Sequence, residues 1–319
     1  MPMHSNRGYR QDDSERIDVE TAMPQEQTDH PHDVSTESTS WIGRTYTGIR
    51  RYFGTHSFGF FAGSCCCVLC AVILVLPSAY VIEAPGPTQN VLGSRDGTAV
   101  ISISGGRTAV YTDTGKLLLL TVNASGTPEY PVTNAEALIA WMNPRRTVTP
   151  SEVVFPIGQS STQYVKEQRK EMSGSQQSSA KAALAYARSM GIDTRGIKIS
   201  MHVDDIGGPS AGMMYALGVL DKLTARSETG GKTIAGTGTI DAQGRVGKIG
   251  GIRLKMLGAR RDGATWFLAP QSNCSEVVGH VPQGLRDVRV TTLADAYSAL
   301  LAIGQGKGSS LPHCTASVK

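Results

Sequence analysis

Gly207-Gly208-Pro209-Ser210-Ala211-Gly212 lies between a stretch of strand character, residues 197–203, and one of helical period, residues 210–223. Gly208 to Gly212 fits the G-x-S-x-G elbow, a strand-to-helix turn that exposes a serine hydroxyl. Pro209 suits a first helical turn, and the paired glycines allow a tight turn and close approach of another backbone. Farther on comes Thr237-Gly238-Thr239-Ile240-Asp241-Ala242-Gln243-Gly244-Arg245-Val246-Gly247-Lys248-Ile249-Gly250-Gly251-Ile252-Arg253-Leu254-Lys255. Its glycine pair opens a helix expected over 252–261, with Lys255 one turn in. On local sequence alone, Ser210 reads equally well as a helix cap and Lys255 as a solvated helix charge.

Around these blocks, strands and helices alternate. Short strands are expected at 80–83, 98–104 and 116–122, with a turn at 84–87. Thr133 and Glu136 form a capping box for a helix through Met142, and a long helix runs from about 164 to 190. Beyond residue 197, strands at 197–203, 233–246, 265–268 and 288–291 intervene between helices at 210–223, 252–261, 272–279 and 293–303. The pattern is α/β, or α+β with a mixed sheet.

Other constellations are weaker. Ser178-Ser179-Ala180-Lys181 fits S-x-x-K, but Lys232-Thr233 is followed by Ile234 rather than glycine, and there is no Ser-Asp-Asn. Only His202, His280 and His313 follow the apolar segment described below, and each reads most simply as a surface residue. Without an H-E-x-x-H motif or Cys/His ligand spacing, no metal is expected, and Gly230-Gly231-Lys232-Thr233 lacks the first glycine of a P-loop.

Together and in order, the serine block and the T-G-x-I, G-x-V, I-G-G-x-x-x-K block resemble the proteolytic domain of the Lon protease family, the Ser-Lys peptidases, over residues 165–303. The resemblance implies a ribosomal S5 domain 2-like fold. It implies Ser210 as nucleophile, Lys255 as general base and Thr237 as the group holding the lysine amine, with Gly208, Pro209 and Ala211 shaping the turn. It also implies polypeptide substrates, no cofactor, and a homo-oligomer. With Glu83-Ala84-Pro85-Gly86-Pro87-Thr88 after an apolar segment, the layout is most similar to membrane-anchored bacterial Lon-like proteins that carry a PDZ domain. Residues 192–198 leave no room for that insert, no AAA+ segment is present, and the acidic residue that energy-dependent Lon enzymes place before the nucleophile is Gly207 here.

The N-terminal region sets the location. Residues 1–40 hold nine acidic and three basic residues, which leaves +10 for the remainder of a chain whose total is +4. This region is expected to be a disordered cytoplasmic tail, and the modestly basic total says nothing of nucleic-acid binding. After a juxtamembrane stretch, 41–57, carrying Arg44, Arg50 and Arg51, residues 58–82 hold no charge and are long enough to cross a bilayer. A cleaved signal peptide fits poorly, because the span starts late and is too long. Cys65, Cys66, Cys67 and Cys70 lie within the span, and Cys274 and Cys314 remain outside it, where their pairing is left open. The expected organisation is a transmembrane helix at 58–82, a β-rich outer part at 83–160, a proteolytic domain at 161–304 and a flexible tail at 305–319. That organisation points to a single-pass cell-membrane protein with its N-terminus inside: an ATP-independent serine endopeptidase cleaving flexible polypeptides outside the cytoplasm. The alternative is a catalytically idle membrane scaffold or partner-binding protein on the same fold.

Overall fold

The computed structural model describes residues 51–315 apart from 53, 156, 157, 159 and 203–207. The acidic tail, the juxtamembrane arginines at 44 and 50, Val203 and Gly207 lie outside the described residues. Helix α1 (Phe58–Val75) buries none of its residues and is long and apolar enough to cross a membrane. Its 18 residues rise about 27 Å, close to the hydrocarbon thickness. The uncharged segment does not remain helical to residue 82. Pro77 cannot continue the α1 ladder, and Tyr80, Val81 and Ile82 open strand β1 (Tyr80–Asn90), with Val81 fully buried.

The turn expected at 84–87 is likewise part of β1. Its antiparallel register to β5 (Lys116–Ser125) shifts between Pro85 and Thr88, and an irregularity of this kind accommodates prolines that have no N–H to give a ladder. Between β1 and β5 lie the short strands β2 (Ser94–Arg95), β3 (Thr98–Ala99) and β4 (Ile101–Ser104). Then follow α2 (Asn134–Trp141), β6 (Thr147–Pro150), α3 (Ser151–Val154), the long α4 (Ser161–Ser189) and β7 (Lys198–Met201). A 3-10 turn, Pro209–Ala211, leads into α5 (Gly212–Leu223). The remainder comprises β8 (Thr233–Gly236), β9 (Thr239–Ile240), β10 (Val246–Gly247), α6 (Ile252–Arg261), β11 (Trp266–Pro270), α7 (Cys274–Val277), β12 (Arg286–Val290) and α8 (Leu293–Gly304). The capping box of Thr133 and Glu136 forms as expected.

The main sheet is mixed, in the order β12-β11-β8-β5-β1-β6. From β12 to β5 it is parallel, and β1 is antiparallel to both its neighbours. The unbroken run Leu117 to Leu120 explains the layering, because a strand apolar on both faces needs cover on both. Leu117 and Leu119 pack in a core with Met213 and Leu217 of α5 and Leu300 of α8. Leu118 and Leu120 join Ile252 and Met256 of α6 and Phe267 in a second core on the other face. All of α5 is buried.

By contact the chain divides after Ser64. In the first unit, the Tyr52 and His56 rings lie 4.4 Å apart and those of His56 and Phe60 4.3 Å apart, one helical turn at each step. In the second, residues 83–160 are no separate part: β1 and β5 are interior strands of the sheet that β8, β11 and β12 complete. Nor is the C-terminal segment loose through Cys314. Arg289 N–H donates to Pro312 O at 2.8 Å, Cys314 N–H donates to Asp287 Oδ2 at 2.7 Å, and Cys314 is disulfide-bonded to Cys274.

Candidate active site

Ser210 and Lys255 are 45 residues apart in the chain, yet Lys255 Nζ lies 2.8 Å from Ser210 Oγ. Three local features bring them together. Gly208, at φ +89°, turns the chain into the 3-10 segment that carries Ser210, and its N–H donates to Gln168 O of α4 at 3.3 Å. Gly251, at φ +67°, caps α6, and a side chain there would press on Val122 of β5, since a Cβ would sit 2.8 Å from Val122 Cγ2. Thr237, which follows β8, laces the two sides. Its hydroxyl donates to Ser210 O at 3.0 Å and lies 3.4 Å from Lys255 Nζ. Gly238 N–H also donates to Ser210 O, at 2.8 Å, while Met213 N–H returns to Gly238 O at 3.0 Å.

Lys255 is 4% exposed, and burial pushes its ammonium down to about 8. Taking a cation out of water favours its neutral form. A neutral amine 2.8 Å from a hydroxyl can accept its proton, so this pair is chemically equipped to make a serine alkoxide.

The pair opens onto a cleft of about 420 Å³ lined by Gly208, Pro209, Ser210, Gly250, Gly251 and Lys255, opposite Thr121, Val122 and Asn123 of β5 and Glu83 of β1. Pairing of β5 with β8 covers only Lys116 to Leu118, so the rest of that edge of β5 meets the cleft rather than a strand.

Several supporting groups carry no sequence motif. Ser175 Oγ of α4 donates to Pro209 O at 3.0 Å, and Ser179 Oγ donates to Gly212 O at 2.8 Å. The S-x-x-K serine is therefore a buried clamp between helices, and Lys181 of that motif is exposed. Asn273 is fully buried and grips Ile249 twice, accepting from its N–H at 3.0 Å and donating to its carbonyl at 2.9 Å, which fixes the loop leading into α6. His202, His280 and His313 are all exposed and line no part of the cleft, so a Ser-acid-His triad is not assembled here. Lys232 Nζ donates to Ile303 O and Gly304 O at 2.7 and 3.0 Å, a helix C-terminal cap rather than a phosphate ligand.

The fold and this cleft belong to a class of serine peptidase. Residues 170–303 match the family described as the Lon protease (S16) C-terminal proteolytic domain, and this part of the chain is such a domain. The chain is 42% identical over 121 residues to Lon protease 2 of Herpetosiphon aurantiacus, an alignment covering 34% of this chain and 14% of that protein. It is 34% identical over 134 residues to Lon protease 1 of Bacillus subtilis and 35% identical over 134 residues to Lon protease of Clostridioides difficile, in each case over 39% of this chain and 17% of the relative. The similarity thus spans less than a fifth of the length of these relatives.

Proposed function

We propose that the protein is a membrane-anchored serine endopeptidase that cleaves flexible polypeptides outside the cytoplasm without ATP. The observation that carries this reading is the buried Lys255 amine 2.8 Å from Ser210 Oγ, in contact with a cleft that admits an extended chain. In the first step Lys255, as free amine, takes the Ser210 proton while Oγ attacks the scissile carbonyl carbon. The Gly208, Gly212 and Met213 N–H groups are committed to Gln168 O, Pro209 O and Gly238 O. The donors we assign to the developing oxyanion are therefore the N–H groups of Ser210 and Ala211 at the head of α5. The Lys255 ammonium then protonates the departing amine, leaving an acyl-serine. Lys255 next takes a proton from water, whose oxygen attacks the ester, and its return to Oγ restores the enzyme. The pairing is already made within the chain, so no nucleotide-driven step is needed to assemble it.

The single apolar helix α1 supports anchoring, and Arg44, Arg50 and Arg51 before it support an N-terminus inside and the sheet domain outside. The outward placement is also supported by the Cys274–Cys314 disulfide. Incubating full-length protein with an unstructured polypeptide such as casein tests the chemistry. Ser210→Ala and Lys255→Ala should each reduce cleavage at least about a thousandfold, as losses of nucleophile or base do. Unchanged cleavage in either variant would refute the assignment.

A further inference from the structure

Helix α2 carries its apolar side chains on the side a soluble domain would keep polar. Ala137 and Ala140 face inward and are buried, whereas Leu138, Ile139, Trp141 and Met142 are 48, 61, 77 and 69% exposed. Leu138 and Trp141 also border a groove of about 410 Å³ shared with Tyr80 and Val148. An exposed apolar cluster with Trp at its centre marks an interaction surface, and Trp favours the boundary between water and lipid.

Where α2 sits identifies the partner. Its first residue, Asn134, donates its backbone N–H to Leu76 O at 3.0 Å and its side-chain Nδ2 to Ile73 O at 2.9 Å. Ser78 N–H donates to Val132 O at 2.8 Å on the same junction. These carbonyls belong to the end of α1, where a helix leaving a bilayer has acceptors that no lipid tail can satisfy. The bonds fasten α2 at the depth at which α1 emerges. Arg145 and Arg146, both exposed, follow within one turn of the helix end.

We propose that α2 lies in the outer-leaflet interface of an anionic phospholipid membrane. Leu138, Ile139, Trp141 and Met142 enter the acyl boundary, and Arg145 and Arg146 meet lipid phosphates. The lipid surface is then a second support beside α1, and it fixes how the cleft is presented to substrates arriving outside the membrane. This inference rests on the anchor reading of α1.

The test uses the full chain in phosphatidylglycerol-containing nanodiscs, with Trp41→Phe and Trp266→Phe leaving Trp141 as the reporter. Lipids brominated near the headgroup should quench Trp141 emission about twofold or more, as contact at the interface requires, and acrylamide should quench it weakly. Strong acrylamide quenching without bromolipid quenching overturns the proposal. So does shielding from both, which would mean a second copy covers the face. A parallel chain with Val68→Trp and the three native tryptophans replaced by phenylalanine reports on α1 through deeply brominated lipids. If that reporter is silent, the anchor reading falls and the proposal with it; if it is quenched and Trp141 is not, only the proposal falls. Hydroxyl-radical footprinting of the unmodified chain in the same nanodiscs is independent of variant folding. Trp141 and Met142 should be protected, and oxidation at rates matching their exposure would overturn the inference.

Discussion

At the residue scale, function turns on one proton. With the Lys255 ammonium held near 8 by burial, about a tenth of the amine is free at pH 7. Because the base must be unprotonated, kcat/KM should rise with pH to a plateau, half-developed near pH 8. A flat profile between pH 6 and 9, measured on a short fluorogenic peptide, would remove Lys255 from the role of base. Thr237→Val keeps the shape but removes the hydroxyl that faces the lysine nitrogen. An acceptor there favours the charged amine, so its loss should move the midpoint of that profile downward. Loss of the hold on the amine should lower kcat about tenfold, the worth of one hydrogen bond, with KM little changed. A merely structural threonine would leave the midpoint in place. Ser210, Thr237 and Lys255 were legible in sequence because each lies in a short block whose glycines punctuate it. Asn273, Ser175 and Gln168 were not, since what they hold is a main-chain atom 24 to 40 residues away, and contact with a carbonyl or N–H leaves no pattern in residue types.

At the scale of elements, α5 ends in a buried acidic cluster that the mechanism does not use. Carboxylate oxygens of Asp113, Asp221 and Glu228 lie within 4.8 Å of one another, and Asp221 is 2% exposed with neither oxygen accepting a hydrogen bond from a neighbour. Burial works against the charge of Asp113, but donors from Gly115, Thr229 and Ser227 outweigh it and keep that carboxylate ionised. Burial first, and then the proximity of Asp113 and Glu228, push Asp221 up to about 9; burial raises Glu228 as well. Asp221 thus holds its proton in the native chain but loses it near pH 4 when unfolded, so its contribution to stability declines as pH rises from about 4 to about 9. Asp221→Asn, which cannot ionise, should flatten that decline and raise the melting temperature at pH 8.5 relative to wild type. An equal slope for the two proteins between pH 5.5 and 8.5 would show that Asp221 is ionised in the fold. The order of strands and helices beyond residue 197 was readable because periods of two and 3.6 alternate cleanly there. The continuation of β1 through Pro85 and Pro87 was not, because local turn chemistry points one way and pairing with β5 the other.

For the molecule as a whole, the chemistry and the anchor share one sheet. The site is completed by β5 and β1, which lead directly from α1, so what the sequence suggested as a separate N-terminal part is the far wall of the cleft. The opposite end of the chain is tied in as well. Cys314 pairs with Cys274, the residue after Asn273, and Asn273 holds the loop that sets Lys255. Closing a 40-residue separation restricts the unfolded chain by an amount on the order of 4 kcal/mol in the chain-entropy model. Cys274→Ser with Cys314→Ser should therefore lower the melting temperature by about 10 °C for a domain of this size. Because the pair adjoins Asn273, peptide cleavage near the new melting point should be lost before the bulk of the sheet unfolds. The same bond reports the compartment, since it persists only where thiols are oxidised. Protein extracted from membranes under denaturing conditions without reductant should leave both cysteines unlabelled by maleimide, and labelling of both would place the domain on the reducing side and overturn the outward orientation.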